Sequence, residues 1–321
     1  MNNKKLYIGI DTSNYTTSLG IVSENGELIA NLKMPLPVKA GERGLRQSDA
    51  VFHHTVNLPK LLEQSRVFIK DSTILAIGFS ERPRSVEGSY MPCFLVGKAA
   101  AYAQSVSSGA PFYGFSHQGG HIMAALFSSG GYDLLDKEFG AFHVSGGTTE
   151  LLSVGFKDGD FLATKVGGTS DLNAGQVIDR IGVSLGLSFP AGRELEELAL
   201  QNDKKIPKKK ISQKDGFVSL SGLENLAASL YRQTEDKPLV CAFVLDYIGR
   251  ALLALAGDYR QRYGDKPLVF AGGVMSNSII KKMLSELPEV YFAEPSLSAD
   301  NAVGTANLAR LKYESEIKNG H

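Results

Sequence analysis

LYIGIDTSNYTTSLGIV, residues 6–22, is the stretch that decides the fold class. Leu6 to Asp11 is apolar and β-branched, Thr12-Ser13-Asn14 turns, Thr17 to Val22 resumes as a strand, and Glu24-Asn25-Gly26 marks the next turn. The same design returns at AFHVSGGTTELLSV, residues 141–154: a strand over Ala141 to Ser145, a turn at Gly146-Gly147-Thr148-Thr149, and a returning strand over Glu150 to Val154. Two hairpins of one pattern, roughly half a chain apart, predict a duplicated α/β lobe with a cleft between the copies.

The intervening sequence fits that plan. Apolar spacing predicts helices over 48–64 and 95–108, and Ile74 to Phe79 reads as a strand. Gly167-Gly168 and Ser170-Asp171 mark a loop, followed by a helix over 174–187. Gln201 to Gly216 carries Lys204, Lys205, Lys208, Lys209, Lys210 and Lys214 and reads as an exposed loop. Leu239 to Tyr263 is a long helix. Pro267 to Ala271 is a strand that passes through Gly272-Gly273 into a helix from about Ser276, and Asn301 to Tyr313 closes the chain as a helix.

Composition narrows the function classes. The chain has 321 residues, 43% hydrophobic and 21% charged, which is globular and long enough for two domains. Lys+Arg and Asp+Glu both count 34, so no global basic field points to nucleic acid; an RNA contact needs a local patch or a partner. Cys93 and Cys241 lack CxxC spacing, which argues against a disulfide framework or a zinc knuckle. The opening MNNKKLYIGID has no apolar leader, and no apolar run reaches the roughly 20 residues that span a bilayer. A cytoplasmic protein without a membrane partner is expected.

Three turns can carry chemistry. Backbone N–H groups in DTSNYTTS and VSGGTTE can cradle a phosphate, though such a hairpin alone is more often a plain turn. A third, Ala271-Gly272-Gly273-Val274, follows a strand and opens a helix, where backbone can approach an adenosine closely. His117 and His121 in SHQGGHIMAAL stand four apart, which on a helix puts both imidazoles on one face within reach of one metal; two partly exposed histidines are the plain alternative. The HExxH protease pattern fails, because Gln118 cannot act as a general base. Asp300, before the closing helix, is a candidate third ligand or an N-cap.

The chain resembles the tRNA N6-adenosine threonylcarbamoyltransferase family (TsaD-like, once described as O-sialoglycoprotein endopeptidases). The resemblance runs over almost the whole length, through GIDTSNYTTS, SHQGGHIMAAL, VSGGTTELL, DLNAGQVIDRIGVSLGLSFPAG, SLSGLEN, AGGVMSN and SADNA in the family's order. It implies the fold shared by actin, hexokinase and the heat-shock ATPases. The expected lobes are residues 1–115, completed by a helix over about 301–321, and residues 116–300 carrying the metal and adenylate motifs. It implies one divalent ion, iron or zinc, on His117, His121 and Asp300. It implies an adenine nucleotide or acyl-adenylate on Ser145, Gly146, Gly147 and Thr148 at the phosphate, Asp179 and Gly192 at the ribose, and Asn277 beside the adenine, with Gly272 and Gly273 lining the same site. The implied reaction passes a threonylcarbamoyl group to N6 of the tRNA adenosine next to the anticodon. The implied partners are tRNA, a TsaB-like paralogous subunit and a small ATPase.

The chain also departs from the family's pattern. Asn14 replaces a cysteine, and Tyr15 and Thr16 replace an acidic pair. Thr148 replaces a histidine and Gln176 a glutamate. Arg82-Pro83-Arg84-Ser85 and Tyr90-Met91-Pro92-Cys93 stand where a Gly-Pro-Gly loop is usual. The metal and adenylate positions persist while the acidic and imidazole groups around the reactive end do not, and no catalytic residue is assigned. This is the pattern of a divergent paralogue. The alternatives are a non-catalytic adenylate- and metal-binding partner subunit, a carbamoyltransferase with another acceptor, and a kinase of the same fold, which has no need of His117, His121 and Asp300 together.

Overall fold

The computed structural model describes residues 4–13, 15–37, 45–157, 159–298, 302–318 and 320. Its contacts divide the chain into two units: residues 1–132, 155–163 and 296–321, and residues 133–154 and 164–295.

The first unit is built on a five-stranded sheet. β1 (Lys4–Asp11) pairs antiparallel with β2 (Thr16–Ser23), and β2 with β3 (Leu28–Pro35). On its other side β1 pairs parallel with β4 (Ser72–Arg82), and β4 with β5 (Phe112–Ser116). The order is β3-β2-β1-β4-β5. α1 (Gln47–Ile69) packs on β2 and β3, and α2 (Phe94–Ser108) on β4. α3 (His117–Ser129) follows β5 directly, because the Ser116 hydroxyl accepts from the Gly119 N–H at 3.0 Å and caps the helix.

The second unit repeats the plan. β6 (Phe139–Val144) and β7 (Thr149–Lys157) form the hairpin, and β8 (Asp160–Thr169) lies beside β7. After α4 (Ala174–Ser184) and α5 (Gly192–Ala199) come two short strands, β9 (Gln213–Lys214) and β10 (Phe217–Val218), then α6 (Gly222–Thr234) and α7 (Lys237–Tyr263). β11 (Leu268–Ala271) pairs parallel with β6 and with β12 (Val290–Phe292); α8 (Ser278–Leu284) connects β11 to β12. Reading β8-β7-β6-β11-β12 gives the same succession as β3-β2-β1-β4-β5, with β10 and β9 added beyond β8. The duplication expected from the two hairpins is therefore present at the level of topology.

α7 is the one helix among the described residues long and apolar enough to cross a membrane. It is this apolar because it is a core helix: 83% of its most apolar window is buried, among residues of α4, α5, α6 and α8. Asp236 starts it by accepting from the Leu239 N–H at 2.9 Å.

After the one-turn α9 (Pro295–Ser298), the chain returns to the first unit as α10 (Val303–Lys318). α10 lies on β2, β1 and β4 and against α3. Gly20, Gly9 and Gly78 are register partners on these adjacent strands, and a side chain on any of them would run into backbone of Ala302, Val303, Thr305 or Ala306. Gly304 meets Gly120 of α3 in the same way. Where the sequence places a lobe boundary at 115/116, contacts group residues through Tyr132 with the first unit, α3 included.

One local expectation changes: Gly167 and Gly168 belong to strand β8, not to a loop. After Gly272-Gly273 comes a 3-10 turn (Gly273–Ser276), and the expected helix follows as α8 from Ser278. The Lys-rich segment is largely an exposed loop, as expected, with two ties to α7: Lys208 pairs with Asp246, and Arg250 donates to the Lys209 carbonyl at 2.7 Å.

Candidate functional site

In the first unit, the end of β1 meets the start of α3. Asp11 is 1% exposed, and its two oxygens are both used. Oδ1 accepts from the Ser13 N–H at 2.8 Å, shaping the turn out of the strand, and Oδ2 accepts from His117 Nδ1 at 2.7 Å. With its proton on Nδ1, His117 presents the lone pair of Nε2. That nitrogen stands 3.0 Å from His121 Nε2 and 3.4 Å from the Ser13 hydroxyl. The i,i+4 spacing thus brings the two Nε2 atoms together as expected. Two converging imidazole nitrogens, one fixed from behind by a buried carboxylate, form a donor set that suits a divalent ion. Asp300 lies outside the described residues, and among the described residues no group of three or more His, Cys, Asp or Glu side chains forms a metal cluster.

The Arg82–Ser85 segment braces this helix start. The Pro83 carbonyl accepts from the Gln118 N–H at 3.1 Å, and the Ser85 hydroxyl donates to Ser116 Oγ at 2.9 Å. Arg82 reaches Asp160 Oδ2 at 3.4 Å. Burial raises the Asp160 carboxyl above the usual carboxylate range, against the opposing pull of the Phe161 N–H and Arg82.

In the second unit, the Ser145–Thr148 turn closes on itself. The Ser145 N–H donates to the Thr148 carbonyl at 2.7 Å, and the Thr148 N–H to Ser145 Oγ at 3.1 Å. The N-terminus of α4 docks on this turn: the Ala174 N–H donates to Thr149 Oγ1 at 2.9 Å, the Gly175 N–H to the Ser145 carbonyl at 3.2 Å, and Asn173 Nδ2 to the Gly147 carbonyl at 2.8 Å. A side chain at Gly175 would strike Gly146, so glycine is needed for this close approach.

Beside the turn opens a cavity of about 520 Å³. Gly146, Asp179, Gly192, Gly273 and Asn277 line it, five of the nine adenylate positions expected from sequence. Gly146 and Gly273 border open space, where a Cβ would meet nothing within 4 Å. Gly272 is not a lining residue. At φ 104° it presses against Val144, so it shapes the turn from β11 and leaves exposure to Gly273. Ser145, Gly147 and Thr148 form the turn without lining the cavity. Asp179 Oδ1 accepts from the Ala191 N–H at 2.8 Å and so positions Gly192. Asn277, 7% exposed, caps α8 through Oδ1, which accepts from the Ile280 N–H at 3.0 Å. Its amide nitrogen remains as a donor.

Glu196 was not legible as a lining residue. It comes from α5 and accepts from both the N–H and the hydroxyl of Ser278, at 2.7 and 2.5 Å, tying α5 to α8. Nothing in its local sequence, an acidic helix surface, separates it from Glu194 or Glu197.

The model of the family described as tRNA N6-adenosine threonylcarbamoyltransferase matches residues 39–307. Proteins of that name are similar over most of their length. The Thermotoga neapolitana protein is 27% identical, covering 96% of this chain and 93% of its own; the Streptococcus thermophilus protein is 32% identical, covering 96% and 92%. Among solved structures, component A of (R)-2-hydroxyglutaryl-CoA dehydratase from Acidaminococcus fermentans superposes with a TM-score of 0.53 at 15% identity, covering 98% of this chain and all of that one. A ROK-family glucokinase from Streptomyces griseus gives 0.53 at 14% identity, covering 95% and 99%. These structures show the fold: duplicated α/β lobes of the actin, hexokinase and heat-shock ATPase type. With a match over residues 39–307 and relatives aligned over 96% of its length, the chain belongs to the tRNA N6-adenosine threonylcarbamoyltransferase family.

Proposed function

We propose that this chain transfers a threonylcarbamoyl, or related carbamoyl, group from an acyl-adenylate to N6 of the tRNA adenosine next to the anticodon. The observation that carries this reading is the family match over residues 39–307, a span that contains the paired histidines and the glycine-rich turns together. His117, His121 and Asp300 would hold one divalent ion, iron or zinc, which when bound supplies Lewis acidity and a template for the carbamoyl end. Asp11 keeps the His117 ring turned so that Nε2 faces that position.

The adenylate is assigned to the second unit's cavity. Backbone around Gly146 and Gly147 offers N–H donors to the phosphate and favours its departure as AMP. Asp179 and Gly192 hold the ribose end, and the Asn277 amide nitrogen donates to the adenine ring. The N6 amine is a weak nucleophile and gains most from being held in position. The protein works with tRNA, together with a TsaB-like subunit and a small ATPase, in the cytosol.

The test supplies threonylcarbamoyl-adenylate, tRNA and these partners, then digests the tRNA and looks for the modified nucleoside. Product formation that is lost in His117→Ala/His121→Ala, together with the metal content, is the expected result. Unchanged metal in that double variant would overturn the metal assignment.

A second reading is favoured by Thr148 and Gln176, which stand where the family has an imidazole and a carboxylate. Loss of one such group costs about 10²–10³ in rate. On this reading the chain binds metal and adenylate as a non-catalytic subunit. Bound adenylate without product under every partner combination would establish it. Recovery of activity in Gln176→Glu/Thr148→His would return the chain to the enzymes.

A further inference from the structure

A second pocket of about 520 Å³ opens next to the first. Gly146 and Asp179 line both. The remaining walls are Gln176, Arg180 and Val183 of α4 and Phe189 of the loop that follows it. The walls are largely apolar, yet Phe189 is 76% exposed. An aromatic ring left that open gains little from burial in the fold.

The ring is presented by a braced loop. The Leu187 N–H donates to the Gly182 carbonyl at 3.0 Å, the Ser188 N–H to Glu194 Oε2 at 3.3 Å, and the Ala191 N–H to Asp179 Oδ1 at 2.8 Å. Around it stand two side chains able to read a flat, polar-edged ligand. Gln176 carries a donor and an acceptor on one amide, and Arg180, held at 3.0 Å from Glu224, carries a planar guanidinium. Aromatic face, amide and guanidinium are the groups that recognise an unstacked nucleobase.

From this arrangement we propose that the Phe189 pocket is the acceptor subsite, where the purine base of the RNA is stacked on Phe189 with its edge toward Gln176. The proposal rests on the transfer reading above, and it follows from the shared wall. The acyl-phosphate is assigned to the Gly146 turn. Transfer requires the attacking nitrogen within about 3–3.5 Å of the carbonyl carbon. A base in the Phe189 pocket shares the Gly146 and Asp179 wall with the cavity assigned to the adenylate, which makes it the neighbour of the leaving phosphate. In that step the N6 nitrogen forms a bond to the carbonyl carbon, the carbon–oxygen bond to phosphate breaks, AMP leaves, and the N6 proton is released.

The test compares wild type, Phe189→Ala and Phe189→Trp. Two affinities are measured: for an unmodified anticodon stem-loop RNA in the presence of AMP, and for AMP alone. Phe189→Ala should weaken the stem-loop about 5- to 150-fold, equivalent to the about 1–3 kcal/mol that alanine removes from a base-stacking aromatic. AMP affinity should stay within about twofold, and Phe189→Trp should bind the stem-loop like wild type. Unchanged stem-loop affinity in Phe189→Ala overturns the proposal, as does an equal loss of AMP affinity, which would make Phe189 part of the adenylate pocket. If wild type binds neither AMP nor stem-loop, the transfer reading itself fails and the subsite with it.

Discussion

Asp11 decides which nitrogen of His117 faces His121. Its carboxylate accepts a hydrogen bond from Nδ1 at 2.7 Å, which favours the tautomer with the proton on that nitrogen. Asp11→Asn can turn its amide NH₂ toward Nδ1 and favour the opposite tautomer. Zinc affinity, measured by competition with a chromophoric chelator, is expected to fall about 10- to 100-fold in this variant. An unchanged affinity would show that the ring is held by its packing alone. The role of Asp11 was not readable from sequence. A carboxylate at a strand end before Thr12-Ser13 reads as a turn former, which it also is, through the Ser13 N–H. The histidine pair was readable, because i,i+4 spacing fixes two side chains on one helix face whatever the rest of the fold does.

At the scale of elements, two arrangements make separate predictions. Asp171 clamps the segment after β8 to the start of α6. Burial alone would raise its carboxyl, but the Ser219 hydroxyl and the N–H groups of Leu220, Leu172 and Ser221 outweigh that and hold it at about 2. The folded value lies below the roughly 3.9 of an unfolded aspartate, so this stabilisation is complete above about pH 4 and is lost as the pH falls through about 2. Urea midpoints followed from pH 5 downward should fall less steeply in Asp171→Asn than in wild type over that window. Equal slopes would remove the clamp.

The other arrangement is the line of Gly20, Gly9 and Gly78 beneath α10. Gly78→Val should cost about 3 kcal/mol or more, beyond the usual 1–3 kcal/mol of overpacking, because the obstacle is helix backbone rather than a movable side chain. A melting temperature like that of wild type would contradict the packing. The hairpins were legible because apolar strands broken by hydroxyl-rich turns have few other solutions. Gly167-Gly168 departs from its loop reading for a physical reason. Gly168 remains in its strand at φ 143°, where the Thr149 carbonyl approaches too closely for any side chain, a constraint that comes from a neighbour 19 positions away, 168 minus 149.

For the molecule as a whole, equal counts of 34 basic and 34 acidic residues leave any RNA affinity to local charge. The Lys-rich segment is the natural place to test, but not with Lys208. Its ammonium pairs with Asp246, which is 6% exposed and also accepts from Arg250 at 2.8 Å. Lys208→Glu is therefore expected to cost about 1–3 kcal/mol of stability whether or not RNA is bound. Lys205→Glu/Lys209→Glu/Lys210→Glu avoids that pair. It should weaken tRNA binding and lower the salt slope by about 0.7–0.9 for each phosphate that the protein no longer neutralises. An unchanged slope would mean that this segment is only a solvated loop.

The placement of α10 has a consequence for how the chain comes off the ribosome. The sheet it covers is made from residues 4–116, yet α10 itself is translated after every strand of both sheets. Residues 133–154 and 164–295 can close their own core while the N-terminal sheet still lacks its cover. Until residues 303–318 emerge, the glycine trough on β2, β1 and β4 is bare backbone, so a nascent chain stalled before that point is the form most in need of a chaperone.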